Sequence, residues 1–108
     1  MKAVVKSRPE PGVEVTDIPI PEVAEDEALI KVKAAAICGS DLGIYNYTPA
    51  YGGMRLPVVM GHEFAGEIVE TGTLVEGYAA GDRGLSESVK ACGECRFCRR
   101  GQVNLCDR

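Results

Sequence analysis

Residues 92–106 read Cys92-Gly-Glu-Cys95-Arg-Phe-Cys98-Arg-Arg-Gly-Gln-Val-Asn-Leu-Cys106. Three cysteines stand three positions apart, and a fourth follows after seven intervening residues, so four thiolates sit on one short loop. Thiolates so spaced converge on a single cation, and four of them complete a tetrahedron about Zn²⁺. A zinc closed in this way has no open coordination position: it folds the loop and catalyses nothing. The chain has five cysteines, so Cys38 stands outside the cage and needs its own explanation.

Two other uses of such a run compete with zinc. An iron–sulfur loop of the bacterial type opens in the same way, but it continues with three residues, a cysteine and a proline. Here seven residues intervene, and Asp107 follows Cys106. A disulfide framework suits a small secreted scaffold, yet five cysteines is an odd number, and no charged start followed by an apolar stretch marks a secretory leader. The soft thiolate donors and their spacing favour zinc, and a cytoplasmic setting is expected.

A chain of 108 residues amounts to about one domain with a real though modest core. Its formal charge of −4 argues against a nucleic-acid surface, and no helix follows the cysteines to enter a groove. Arg96, Arg99 and Arg100 on the metal loop are expected to be solvated or packed on a neighbouring domain. The apolar runs fall far short of the ~20 residues of a membrane span, so no membrane partner is expected.

Working outward from the loop, short strand-like runs lie between glycine and proline punctuation, the signature of a mainly β domain. Met1 to Lys6 and Val13 to Ile18 read as two strands able to pair as a hairpin, separated by Pro9-Glu-Pro11-Gly12 and closed by Pro19 and Pro21. From Ala28 to Ala36, Ile30, Val32 and Ala34 face one way and Lys31 and Lys33 the other, so the first set is expected inside. Phe64 to Thr71 is a further strand, ended by Gly72. Gly81-Asp82 signals a turn before a weaker strand at Arg83 to Val89, interrupted by Gly84. One helical turn is expected at Ser40 to Tyr45, capped by Ser40 or Asp41 and weakened by Gly43.

The chemistry lies where these elements end. Cys38 follows the Ala28 strand and precedes Gly39-Ser40-Asp41; His62, the sole histidine, stands in Gly61-His62-Glu63 just before the Phe64 strand. A thiolate and an imidazole at strand boundaries, each beside a glycine that permits a sharp turn, are candidates for a second metal site. Glu63 offers a third ligand or a nearby charge. Asp41 can accept the His62 ring N–H and fix its tautomer, the support that metal-binding histidines need. Singly, a buried cysteine or histidine is more often an inert core residue; it is the combination that points to a site.

Cys38-Gly39-Ser40-Asp41, then Gly61-His62-Glu63, then Gly81-Asp82-Arg83, then the four-cysteine loop resembles, as an ordered set from Met1 to Arg108, the N-terminal catalytic domain of the zinc-dependent medium-chain alcohol dehydrogenases. Within that family the likeness is nearest to polyol (sorbitol) and L-threonine dehydrogenases. The resemblance implies a GroES-like domain over residues 1–108: a partly open, twisted β-barrel with a zinc-binding cysteine loop. It implies a structural zinc on Cys92, Cys95, Cys98 and Cys106. It also implies a catalytic zinc on Cys38 and His62, with Glu63 as third ligand in the polyol enzymes or a residue further along in others. It implies zinc-assisted hydride transfer from a small alcohol or polyol to NAD or NADP, with Ser40 taking the substrate proton, in a homo-oligomeric enzyme.

Two positions depart from the family pattern. Gly43 stands where L-threonine dehydrogenases usually carry a histidine that takes part in proton transfer, which leaves the relay after Ser40 without an obvious next member. Gly84 stands where an aliphatic residue is usual. No Gly-x-Gly-x-x-Gly run is present, so the dinucleotide-binding domain is expected outside this chain, and the chain alone is expected to be an inactive fragment with exposed edges prone to self-association. An L-threonine 3-dehydrogenase-like enzyme and a non-catalytic zinc-binding module are the alternatives.

Overall fold

The computed structural model describes residues 1–107 and consists mainly of strands and loops. Pro9, Pro11 and Gly12 interrupt the first apolar run, and the chain folds back so that β1 (Lys2–Lys6) pairs antiparallel with β2 (Glu14–Asp17), Lys2 opposite Asp17 and Val5 opposite Glu14. β3 (Ala28–Ala35) pairs with β5 (Phe64–Thr71), and β5 with the short β6 (Arg83–Leu85), again antiparallel. The hairpin and the long central pair thus lie where alternation and punctuation place them.

One strand is not foreshadowed by any sequence pattern. β4 (Val58–Val59) has two residues, too few to show a period, yet it pairs with the end of β1: Val5 opposite Val59 and Lys6 opposite Val58. The Met60 N–H then donates to the Val4 carbonyl at 2.9 Å. Two three-stranded sheets result, ordered β2-β1-β4 and β3-β5-β6, and they do not close on one another. The architecture is a mainly β, partly open barrel, with one α-helix, α1 (Gly39–Tyr45), and short 3₁₀ turns at Pro49–Tyr51, Cys98–Arg100 and Val103–Leu105.

Burial differs from the expectation for β3. Ile30 is half-buried, but Val32 is 52% exposed and Ala34 is exposed too. The β3–β5 register shifts between Leu29 and Ile30 and again between Val32 and Ala34; such irregularities bend and twist a strand, so strict two-residue alternation no longer keeps one face inward. The last strand is shorter than expected because β5 begins at Phe64: the Ser86 N–H makes the last rung to the Phe64 carbonyl at 2.8 Å, and beyond it no partner remains. Gly84 does not interrupt this strand; it pairs with Gly66.

Val5, Ile68 and Cys95 are the buried apolar residues, while Ile37 and Leu85 are 81% and 80% exposed. The radius of gyration of 15.8 Å exceeds the roughly 13 Å of a compact chain of this length. The core is therefore thinner than the composition suggests. Within the second sheet, β3 and β5 approach closely: a Cβ on Gly66 would stand 2.6 Å from both the Ile30 Cγ2 atom and the Lys31 carbonyl oxygen of β3. Gly66→Ala is accordingly expected to lower the unfolding free energy by about 1–3 kcal/mol. Gly84→Ala, where the added Cβ meets nothing within 4 Å, should stay within about 0.5 kcal/mol of the parent. Urea unfolding of the metal-loaded chain distinguishes the two.

Two candidate metal centres

α1 starts directly after Cys38. The Asp41 Oδ2 atom reaches back to accept the Cys38 N–H at 2.9 Å, as the third residue of a helix does when it closes the first turn. Cys38 is therefore the N-cap residue, not Ser40 or Asp41. This frees the Ser40 hydroxyl, whose Oγ lies 3.3 Å from His62 Nε2. The helix is short and contains Gly43, so intrinsic propensity cannot sustain it. It is also held from its far end, where the Tyr45 carbonyl accepts from the Gly12 N–H at 2.9 Å and from Lys6 Nζ at 3.0 Å.

His62 arrives from the β4 side. Gly61 has φ +105°, a conformation glycine adopts without strain, and it turns the chain from β4 toward β5. Gly39 has no positive φ and simply opens the helix, so only one of the two flanking glycines makes a sharp turn. Ser86 pins the histidine backbone: its Oγ donates to the His62 carbonyl at 2.6 Å and accepts the Phe64 N–H at 3.1 Å. Neither Ser86 nor Lys6 stands in a motif, and nothing in the sequence marks either as part of the site's support.

These elements bring one ligand atom each of Cys38, His62 and Glu63 within 4.8 Å of one another. Cys38 and His62 are half-buried and Glu63 is exposed. Hydrogen bonds from the Ser40 side chain and backbone, then from His62, hold the Cys38 thiol below its ordinary range, against the opposing effect of burial. The His62 imidazole is held above its ordinary value chiefly by the Cys38 sulfur, with Asp41 and Glu63 adding negative charge. The pair is biased toward sharing one proton as an ion pair; a cation at the sulfur displaces that proton and returns the imidazole to the neutral form that can act as a ligand.

Asp41 supplies a further observation. It is buried, its Oδ1 atom has no hydrogen-bond partner, and that oxygen lies 3.8 Å from His62 Nδ1. An orphaned buried carboxylate oxygen is costly. The tautomer with its proton on Nδ1 turns toward it and leaves the Nε2 lone pair free for a cation. The donor set and the orphaned oxygen both fit a bound metal.

The second group is the four-cysteine loop. Its sulfurs lie within 4.8 Å of one another, with Cys92 and Cys98 Sγ 3.9 Å apart, far beyond the ~2.05 Å of a disulfide bond. None of the five cysteines is joined in a disulfide. Gly101, with φ +75°, and the turn at Val103–Leu105 bring Cys106 back to the other three. Backbone amides point at the sulfurs: Cys92 N–H at Cys106 Sγ (3.4 Å), Cys95 N–H at Cys92 Sγ (3.3 Å) and Cys98 N–H at Cys95 Sγ (3.4 Å). Burial, helped by hydrogen bonding to Cys95, pushes the Cys98 thiol up to about 12. A thiophilic cation at the centre would reverse that preference. Arg96 lies over the Phe97 ring and faces Asp107 at 3.7 Å, largely in solvent.

Residues 24–108 match the alcohol dehydrogenase GroES-like domain family. The chain belongs to that family. Over 107 residues it is 47% identical to an L-threonine 3-dehydrogenase of Rhizobium etli, a match covering 98% of this chain and 31% of the relative. An NAD-dependent alcohol dehydrogenase of known structure superposes with a TM-score of 0.90 at 35% identity, covering all of this chain and 32% of the other. Alcohol dehydrogenase TADH from Thermus sp. ATN1 gives 0.84 at 39% identity, covering all of this chain and 30% of that one. The chain thus spans about a third of the length of the curated relatives it matches. No helix of the described residues is long and apolar enough to cross a membrane.

Two outcomes follow for this GroES-like domain. Because the metal-free Cys98 thiol stays protonated across the neutral range, loading the four-cysteine loop must release about one proton or more per zinc at pH 8, and affinity must fall as pH falls. Calorimetry in buffers of different ionisation enthalpy counts those protons. Asp41→Asn should weaken metal binding at Cys38–His62 by about 10–100-fold and leave the four-cysteine loop unchanged, as followed by cobalt absorption.

Proposed function

We propose that this chain is the zinc-binding catalytic lobe of an NAD(P)-linked alcohol or polyol dehydrogenase. Cys38, His62 and Glu63 would hold the catalytic zinc, and Cys92, Cys95, Cys98 and Cys106 the structural one. The observation that supports the reading most strongly is the meeting of thiol, imidazole and carboxylate within 4.8 Å beside the Ser40 hydroxyl, 3.3 Å from His62 Nε2. A four-sulfur set is closed, whereas a three-ligand set leaves room for a substrate oxygen. Zinc in the three-ligand set supplies Lewis acidity toward an alcohol oxygen.

The chain's own residues orient the site and move the proton. Asp41 fixes the tautomer of His62, and the N-cap geometry of α1 fixes Cys38. The Ser40 hydroxyl both accepts and donates, so it takes the substrate's hydroxyl proton on a lone pair while releasing its own to solvent. No side chain at position 43 continues the relay. A Cβ there would collide with the Tyr51 ring, and Tyr51 is tied to α1 through Thr48, whose carbonyl accepts the Tyr51 N–H at 2.8 Å and whose N–H donates to the Gly43 carbonyl at 3.1 Å. The nicotinamide comes from a further domain, since the sequence has no Gly-x-Gly-x-x-Gly run. The edges of β2 and β6 and the exposed Ile37 and Leu85 are surfaces for that domain or for a second copy in a homo-oligomer.

A second reading, L-threonine 3-dehydrogenase, is favoured by the 47% identity to the Rhizobium etli enzyme. It shares the ligands and differs in substrate; Gly43 is the residue that speaks against it. In a chain extended through the nucleotide-binding domain, about two zinc per chain are expected, falling to about one in Cys38→Ser/His62→Ala with unchanged circular dichroism. About one zinc in the unaltered protein would leave only a zinc-binding module. In the same enzyme Ser40→Ala should cut kcat by about 10²–10⁴-fold with zinc retained. A kcat/KM for L-threonine above that for every polyol tried would decide for the second reading.

A further inference from the structure

Lys6 has no solvent-accessible surface, and no carboxylate pairs with it among the described residues. An ammonium buried without a counter-ion is costly unless all its donors are used. Here they are. Nζ has three N–H groups, and it donates to the carbonyls of Glu10, Gly12 (2.9 Å) and Tyr45 (3.0 Å). The Tyr47 ring centroid lies 5.5 Å away, within reach of a cation–π attraction. Tyr45 is the last residue of α1, where carbonyls lack partners within the helix and a cation is favoured.

The backbone of the same residue faces the other arm of the site. Lys6 stands opposite Val58 in β4, and β4 runs through Met60 and Gly61 into His62. Lys6 thus grips α1, whose N-cap is Cys38, by its side chain, and the strand that delivers His62 by its main chain. Among the described residues, the hydrogen bonds and ring contact of Lys6 do not reach the four-cysteine loop, which makes that loop an internal control.

We infer that Lys6 is a positioning residue that sets the approach of Cys38 to His62 through α1, so that loss of its ammonium weakens metal binding at that pair and spares the four-cysteine loop. The inference rests on the reading of Cys38–His62 as a metal site. The test is a cobalt titration of the full chain carrying Lys6→Met, which keeps side-chain length and removes the donors, read by visible absorption. Affinity at Cys38–His62 should fall about tenfold or more, the four-cysteine loop should keep its parent affinity, and amide exchange at residues 42–46 should quicken about tenfold while that of β3 and β5 does not. Ethylammonium added to Lys6→Ala should restore both properties.

Parent affinity at Cys38–His62 in Lys6→Met overturns the inference, as does an equal loss at both centres with exchange quickened throughout, which would mark a purely structural role. If Lys6→Met does not fold, Lys6→Gln, which keeps two donors, carries the same test: a selective loss supports the inference and an equal loss overturns it. If the parent chain takes up cobalt only at the four-cysteine loop, the dehydrogenase reading fails, and the exchange pattern alone decides for or against Lys6.

Discussion

Two backbone rungs between β1 and β4, Val5 opposite Val59 and Lys6 opposite Val58, fix where the chain delivers His62. The helix that follows Cys38 is tied to the same end of β1 through the Tyr45 carbonyl. Cys38 and His62 are 24 positions apart in the chain; the β3–β5 pairing brings their segments together, with Ala35 opposite Phe64 and the Ala36 N–H donating to the Glu63 carbonyl at 2.9 Å. The end of β1 is a second point that both segments share, and the two ties together set the geometry of the pair.

This reliance on hydrogen-bonded anchors follows from the thin core. With Val5, Ile68 and Cys95 as the buried apolar residues, hydrophobic packing supplies little of the rigidity a site requires. The gaps are filled by directional contacts: Asp41 to the Cys38 amide, Ser86 bridging His62 and Phe64, the amides of the cysteine loop aimed at sulfur. Structural zinc binding in small modules contributes roughly 10–16 kcal/mol to folding. For a loop with one buried residue, Cys95, at its centre, a cation is a more effective organiser than its own side chains.

Tyr51 packs over Gly43. In this chain the face of α1 one turn beyond Ser40 is covered by an aromatic ring rather than extended by a side chain. A side chain at 43 would have to displace the Tyr51 ring.

That Cys38, His62 and Glu63 come together, and likewise the four cysteines of the loop, was legible in the sequence. Cysteine spacing dictates how a short loop can fold around an ion, and strand boundaries marked by Gly39 and Gly61 set Cys38 and His62 apart from ordinary core residues. The hairpin, β3 and β5 were legible for the same local reason, since alternation and breakers are properties of adjacent residues. What only the tertiary structure decided are the non-local terms. The two-residue β4 exists because β1 offers it an edge; β3 turns Val32 outward because its register slips against β5. Lys6 is buried because the carbonyl of Tyr45, from the end of α1, meets its ammonium beside those of Glu10 and Gly12. None of these has a sequence period or motif, because each is set by a partner distant along the chain.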